Sequence, residues 1–104
     1  MKIVKDKESL ELKYCNSFFS RLKGLMFKKN INYCLCFPRC RCIHTFFMLK
    51  PIDVIMTDKY YNILYIYEKF KPWKIILPKK NVYYTFEFPI NKFNFKTNEK
   101  LHIK

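Results

Sequence analysis

Four cysteines fall within nine residues of this chain, Cys34-Leu35-Cys36-Phe37-Pro38-Arg39-Cys40-Arg41-Cys42, with His44 two positions further on. The pattern is Cys-x-Cys-x3-Cys-x-Cys, and thiolates at such density raise the question of a tetrahedral zinc site. If Phe37-Pro38-Arg39 forms a three-residue hairpin loop, Cys36 faces Cys40 and Cys34 faces Cys42. The four sulfurs then share one face, with cross-strand Cβ atoms ~4.5–5.5 Å apart, and His44 continues it. The competing reading is plainer. Cysteine is a common small buried hydrophobe, and a strand followed by a loop would not align the sulfurs. Arg39 and Arg41 keep a third option open, a thiol whose pKa is lowered by adjacent positive charge. Core or loop cysteines are the favoured reading. No cofactor is expected, and zinc at Cys34, Cys36, Cys40 and Cys42 is the alternative.

The elements that must position these residues are mostly strands. Lys2–Val4 and the alternating Leu10–Tyr14 read as β. Asn16-Ser17 offers an N-cap, Phe18, Phe19, Leu22 and Leu25 follow at helical spacing, and Gly24 is placed to end the turn, so one short helix is predicted there. Further strands are predicted at Tyr33–Phe37, Ile43–Leu49, Ile52–Thr57, Ile63–Tyr67, Lys74–Leu77, Val82–Phe88 and Leu101–Ile103, with a turn over Asp58–Asn62. Short strands at this spacing predict a mainly β fold, a small single-domain β-sandwich or barrel with one short helix near the N-terminus, spanning residues 1–104. The chain has a single Gly. Turns that need a left-handed backbone must therefore draw on Asn, with Asn30, Asn62, Asn81, Asn91 and Asn98 as candidates.

Composition bounds the function. With 104 residues, half of them hydrophobic and 19% aromatic, the chain can close one core. The formal net charge of +13 suggests an anionic partner. Only Arg21, Arg39 and Arg41 are arginines, whereas base-edge recognition favours Arg, and the Lys-, Ile- and Asn-rich make-up fits A+T-rich coding drift equally well. Non-specific, salt-sensitive nucleic-acid binding is the expectation from charge alone. Tyr60, Tyr61, Tyr65, Tyr67, Phe70, Trp73, Tyr83 and Tyr84 would suit a stacking platform, but strand alternation already accounts for them as core and amphipathic surface. The run Phe46-Phe47-Met48 reads as a buried strand before it reads as a sticky edge. Residues 1–13 form no apolar h-region and no run is long enough for a membrane helix, so a cytoplasmic protein with reduced thiols is expected.

Four segments resemble the uncharacterised family known as domain of unknown function 192. They are Arg21-Leu22-Lys23-Gly24-Leu25-Met26, Ile43-His44-Thr45-Phe46-Phe47-Met48, Pro51-Ile52-Asp53-Val54-Ile55, and Lys71-Pro72-Trp73 followed by Tyr83-Tyr84-Thr85-Phe86-Glu87-Phe88-Pro89. Order and spacing hold over roughly residues 10–103. The chain departs from the family at two turns, with Ile90-Asn91 for Ala-Gly and Asn98-Glu99 for Gly-Asp, where Asn can replace Gly. The resemblance implies a mainly β domain with a short helix near its start, and it implies no activity.

Within these segments the polar residues are Arg21, His44, Asp53 and Glu87. Alternation sets Asp53 and Glu87 opposite their apolar neighbours. The four would line a pocket, or serve as a structural ion-pair network in which Arg21 pairs with Asp53 or Glu87. The sequence contains no Walker loop, nucleophile elbow or His-Glu-x-x-His. The reading that follows is a non-catalytic binding or interaction module for a small molecule or protein. A small enzyme using His44 with a carboxylate and an electrostatic nucleic-acid binder are the alternatives.

Overall fold

The computed structural model describes residues 1–15 and 31–104. The short helix predicted after the Asn16-Ser17 cap, Arg21 and Asn30 lie outside the described residues. All the described elements are strands: β1 (Lys2–Lys5), β2 (Glu8–Tyr14), β3 (Cys34–Pro38), β4 (Ile43–His44), β5 (Ile52–Thr57), β6 (Ile63–Phe70), β7 (Ile75–Ile76), β8 (Tyr84–Phe88) and β9 (His102–Ile103). Seven form one curled sheet in the order β6-β5-β8-β3-β2-β1-β9, and β4 pairs with β7 as a separate ribbon. All the pairings are antiparallel except β2 with β3.

The curl nearly closes the sheet. The turn before β6 meets the turn before β9, where Ile63 N donates to Glu99 O at 2.8 Å and Leu101 N donates to Tyr61 O at 2.9 Å. The result is a half-barrel with an enclosed inner face. Ile3, Leu10, Cys34, Cys36, Ile55, Ile63, Phe86 and Phe88 fill that interior. The outer face of the central strands is buried as well. Leu35 and Phe37 of β3 and Ile52, Val54 and Met56 of β5 pack there with Cys15, Met48, Ile76 and Val82. The β4–β7 ribbon lies on this face through Ile43 and Ile76.

A register shift bends the β5–β6 pair. Ile52 stands opposite Phe70 but Val54 opposite Tyr67, so β6 carries one extra residue there. Lys69 takes a left-handed φ of 50°, and Asp53 Oδ1 accepts the Lys69 N–H at 2.8 Å. Asp53 thus caps a β-bulge, a device that re-aims the chain beyond it, here into the loop 71–74.

Left-handed backbone occurs at Asn81, Asn91 and Asn98 as predicted, but also at Asp6, Arg39, Phe47, Tyr61, Lys69 and Trp73. In the 58–62 turn Tyr61 takes the conformation rather than Asn62. The Asp58 carboxylate accepts the N–H groups of Tyr60 and Asn62, which fixes the turn one residue earlier.

The cysteine hairpin does not form. β3 is claimed on both sides by non-local partners, with Cys34 opposite Leu12 and Cys36 opposite Tyr14 and Phe86. Arg39, at φ 53°, turns the chain away, and Cys40 N donates to Tyr83 O instead of pairing with β3. Cys34 and Cys36 point into the barrel, Cys40 is half-buried and Cys42 is exposed. Among the described residues no group of three or more His, Cys, Asp or Glu is placed to hold a metal ion. Burial pushes the thiols of Cys15, Cys34 and Cys36 up, which keeps them protonated and unreactive. Titration of the native protein with a disulfide reagent should therefore register Cys40 and Cys42 promptly, and Cys15, Cys34 and Cys36 only on unfolding. Protection of Cys40 and Cys42 together with about one zinc per chain would restore the metal clip.

Candidate functional site

The run Ile43–Leu49 was expected to be one strand with Phe46 and Phe47 buried. It stops after His44, and the reason is Thr45. This residue is wholly buried, and its hydroxyl donates to Lys71 O at 2.7 Å and accepts from Lys74 N at 2.9 Å. Its backbone N–H donates to Lys74 O at 2.8 Å, and its carbonyl accepts from Trp73 N at 2.9 Å and Met48 N at 3.2 Å. Two loops far apart in sequence, 45–50 and 71–74, are thereby fastened back to back.

The fastening turns aromatic side chains outward. Phe47 and Trp73 both adopt φ 63°, a region that is an outlier for bulky side chains and costs about 1–3 kcal/mol at each position. Burial does not offset that cost, because Phe47 is 45% and Trp73 60% exposed. Their rings meet edge-on with centroids 4.7 Å apart. Phe46 lies 5.9 Å from Trp73 in stacked orientation and 5.0 Å from the His44 ring. His44 Nδ1 accepts the Phe46 N–H at 3.2 Å. A neutral ring bonded in this way carries its proton on Nε2. The outcome is a ridge of His44, Phe46, Phe47 and Trp73 on the surface.

The other candidates stand apart from this ridge. Glu87 pairs in register with Leu35 and Val54, so it faces the outer apolar cluster and is buried beneath it. Its Oε1 has no hydrogen-bond partner among the described residues. Desolvation pushes its pKa up to about 8, which leaves it a neutral carboxylic acid at pH 7. Asp53 points to the opposite face, at the mouth of a cleft of about 670 Å³ that also holds Lys5, Glu68, Lys69 and Lys92. Partial burial raises its pKa, and the Lys69 N–H pulls it back. Two of its side chains are engaged locally, Asp53 by the bulge and Lys5 by Glu99 at 3.0 Å and by the Asn94 carbonyl. His44, Asp53 and Glu87 therefore do not share one pocket, and among the described residues no carboxylate bonds to His44. The tyrosines are divided too. Tyr61 and Tyr84 stack at 4.8 Å on the inner-face cluster, whereas Tyr65, Tyr67 and Phe70 pack against the outer one.

The ridge was missed from sequence because its apolar run resembled a buried strand. A signal was nevertheless present. Residues 39–50 and 71–82 hold seven Lys or Arg and no Asp or Glu, with the aromatics set among them.

A family model described as Uncharacterized ACR, domain of unknown function 192, matches residues 1–103. A UPF0127 protein of Pyrococcus horikoshii is 38% identical over 97 residues, covering 84% of this chain and 83% of that protein. A UPF0127 protein of Thermococcus sibiricus is 34% identical over 94 residues, and one of Thermococcus kodakarensis is 36% identical over 86. The matches cover 85% and 77% of this chain but only 60% and 54% of those two proteins. In fold, the chain is similar to a crystal structure of a protein of unknown function from Novosphingobium aromaticivorans, with a TM-score of 0.80 at 15% identity over 98% of this chain and 82% of that one. It is equally similar to a putative transcription regulator from Sinorhizobium meliloti, with a TM-score of 0.81 at 16% identity over 97% and 89%. At such identities the likeness is one of fold.

The buried acid has a measurable signature. Between its ordinary pKa near 4.5 and about 8, Glu87 keeps its proton when folded and releases it when unfolded. Folding stability should therefore fall as pH rises through that window, by roughly 3–5 kcal/mol in all. Glu87→Gln should flatten the dependence and be the more stable form at pH 8. Chemical denaturation across pH checks this, and a rise in stability over the same window would mean that a cation partners Glu87.

Proposed function

The chain belongs to the family of domain of unknown function 192, and we propose that it acts as a non-catalytic binding module whose contact surface is the His44–Phe46–Phe47–Trp73 ridge. One observation carries this reading: two large aromatic side chains are held outward on left-handed backbone that Asn or Gly would adopt at lower cost. A fold that only needed the turns would gain by replacing them. A surface that needs the aromatics would keep them, since strain of this kind gathers at functional sites. The ridge is also where two of the segments carrying the family resemblance, Ile43–Met48 and Lys71–Trp73, come together through Thr45. His44 contributes an Nε2–H donor beside the rings, in keeping with recognition by apolar contact and one directional bond.

The reading separates recognition from stability. Phe47→Ser and Trp73→Ser should each change unfolding free energy by less than about 1 kcal/mol, whereas Phe86→Ala in the barrel should cost about 3–5 kcal/mol. Chemical denaturation of the three variants tests it. A loss at Phe47 or Trp73 comparable to that at Phe86 would make the aromatics packing residues and remove the ground for a contact surface.

A further inference from the structure

The ridge does not end at its aromatics. Ile75 stands opposite His44 in the β4–β7 ladder and is exposed, as are Leu77 beyond it and Leu49 beside Phe47. The exposed apolar surface therefore mixes aromatic and aliphatic side chains along two loops and a ribbon. Lysines punctuate it. Lys50 follows Leu49, and Lys71 and Lys74 bracket Pro72-Trp73 before Ile75, all three exposed. All the chain's carboxylates lie outside residues 39–50 and 71–82.

We infer that this face docks on an anionic lipid bilayer, an inference that rests on the ridge being the contact surface. Charge complementarity selects an anionic occupant, and the side-chain mixture selects among anionic occupants. Single-stranded nucleic acid stacks its bases on open aromatic faces. Here Trp73 is packed by Phe46 on one side and by Phe47 edge-on, and Leu49, Ile75 and Leu77 have no π face to offer. A bilayer surface takes this combination. Aliphatic and Phe side chains enter the boundary between headgroups and acyl chains, Trp settles at headgroup level, and Lys reaches lipid phosphates and carboxylates. The net charge of +13 adds long-range attraction to a negative leaflet.

Trp73 is the only tryptophan of the chain, so its emission reports on this face directly. The full chain is mixed with vesicles of phosphatidylcholine alone, or with about 30 mol% phosphatidylserine to mimic an anionic leaflet. Binding is read by flotation and by Trp73 fluorescence. The expected result is binding to the anionic vesicles only, with a blue shift of Trp73 and quenching by bromine-labelled acyl chains. Phe47→Ser and Ile75→Ser, which keep the probe, should weaken partitioning by about tenfold each. The double variant Lys71→Glu, Lys74→Glu should weaken it by more than tenfold, each lost cation being worth roughly fivefold. Binding to anionic vesicles with no shift of Trp73, or with full retention in Phe47→Ser, would reduce the effect to net charge and overturn the inference. No vesicle binding, together with a Trp73 response to an oligothymidine that survives moderate salt, would assign the face to nucleic acid. That outcome would overturn the lipid while leaving the ridge as a contact surface. Failure of both probes removes the lipid inference alone, because the ridge is judged separately by the stability of Phe47→Ser and Trp73→Ser.

Discussion

The central strands of this domain are buried on both faces, and the rest of the architecture follows from that constraint. β3, β5 and β8 alternate their side chains between the barrel interior and an outer cluster, and most of both faces is kept from water. The interior is sealed by curling the sheet until the 58–62 turn touches the 98–101 turn. The outer face cannot be sealed by the same sheet, so it requires a second layer. β4, β7 and the loops around them supply that layer, but each contributes only two strand residues, and the loops must be held by something other than a ladder. Thr45 meets the need, its backbone and hydroxyl bonding Trp73, Lys71 and Lys74. The surface ridge is the outer side of the cover that this face demands.

Glu87 shows the same constraint from below. A carboxyl on β8 at an outer-face position would be harmless in a one-sided sheet. Under a second apolar layer it is desolvated, and among the described residues nothing bonds its Oε1. It remains as a neutral acid between Leu35 and Val54 in register. Asp53, one face away, had a different fate, because the β6 bulge brought the Lys69 N–H to it. Two carboxylates that look alike in sequence, each alone in an apolar strand, thus became a buried acid and a backbone cap.

Local alternation made most of the strands legible. Ile52–Thr57 was found with its observed bounds, and β1, β2, β3, β6 and β8 within a few residues of theirs. Non-local pairing was not legible. The four cysteines suggest a hairpin because a hairpin is the local solution, yet β3 is paired in parallel to β2 and antiparallel to the distant β8, and with no strand formed by residues 40–42. Phe46-Phe47 suggested burial because nothing within that segment discloses the loop 71–74 that Thr45 binds. The sequence singles out His44, Asp53 and Glu87 one by one, but where each lies depends on which side of a two-sided sheet it faces. Among the described residues Asn serves three of the left-handed turns as expected, while six others fall on Asp, Arg, Phe, Tyr, Lys and Trp. In a chain with one glycine, turn geometry is dictated by where strands must end rather than by which residue is most willing.

The sheet's last pairing joins the first described strand to the last. β1 pairs with β9, Lys2 N donates to Lys104 O at 2.8 Å, and Lys104 N returns the bond to Lys2 O at 2.9 Å. During synthesis β1 can pair with β2 almost at once, but its other edge waits for β9, its partner some hundred residues later. For that interval the nascent domain carries an open hydrogen-bonding edge, the feature through which sheets recruit foreign strands. Lys2 and Lys5 stand at the two ends of β1, and lysine on an open edge discourages such pairing. Closure between strands so far apart in sequence also bears on the tempo. Contacts this distant in sequence carry a large loop-closure entropy, and a fold rich in them folds more slowly than one built from neighbouring strands.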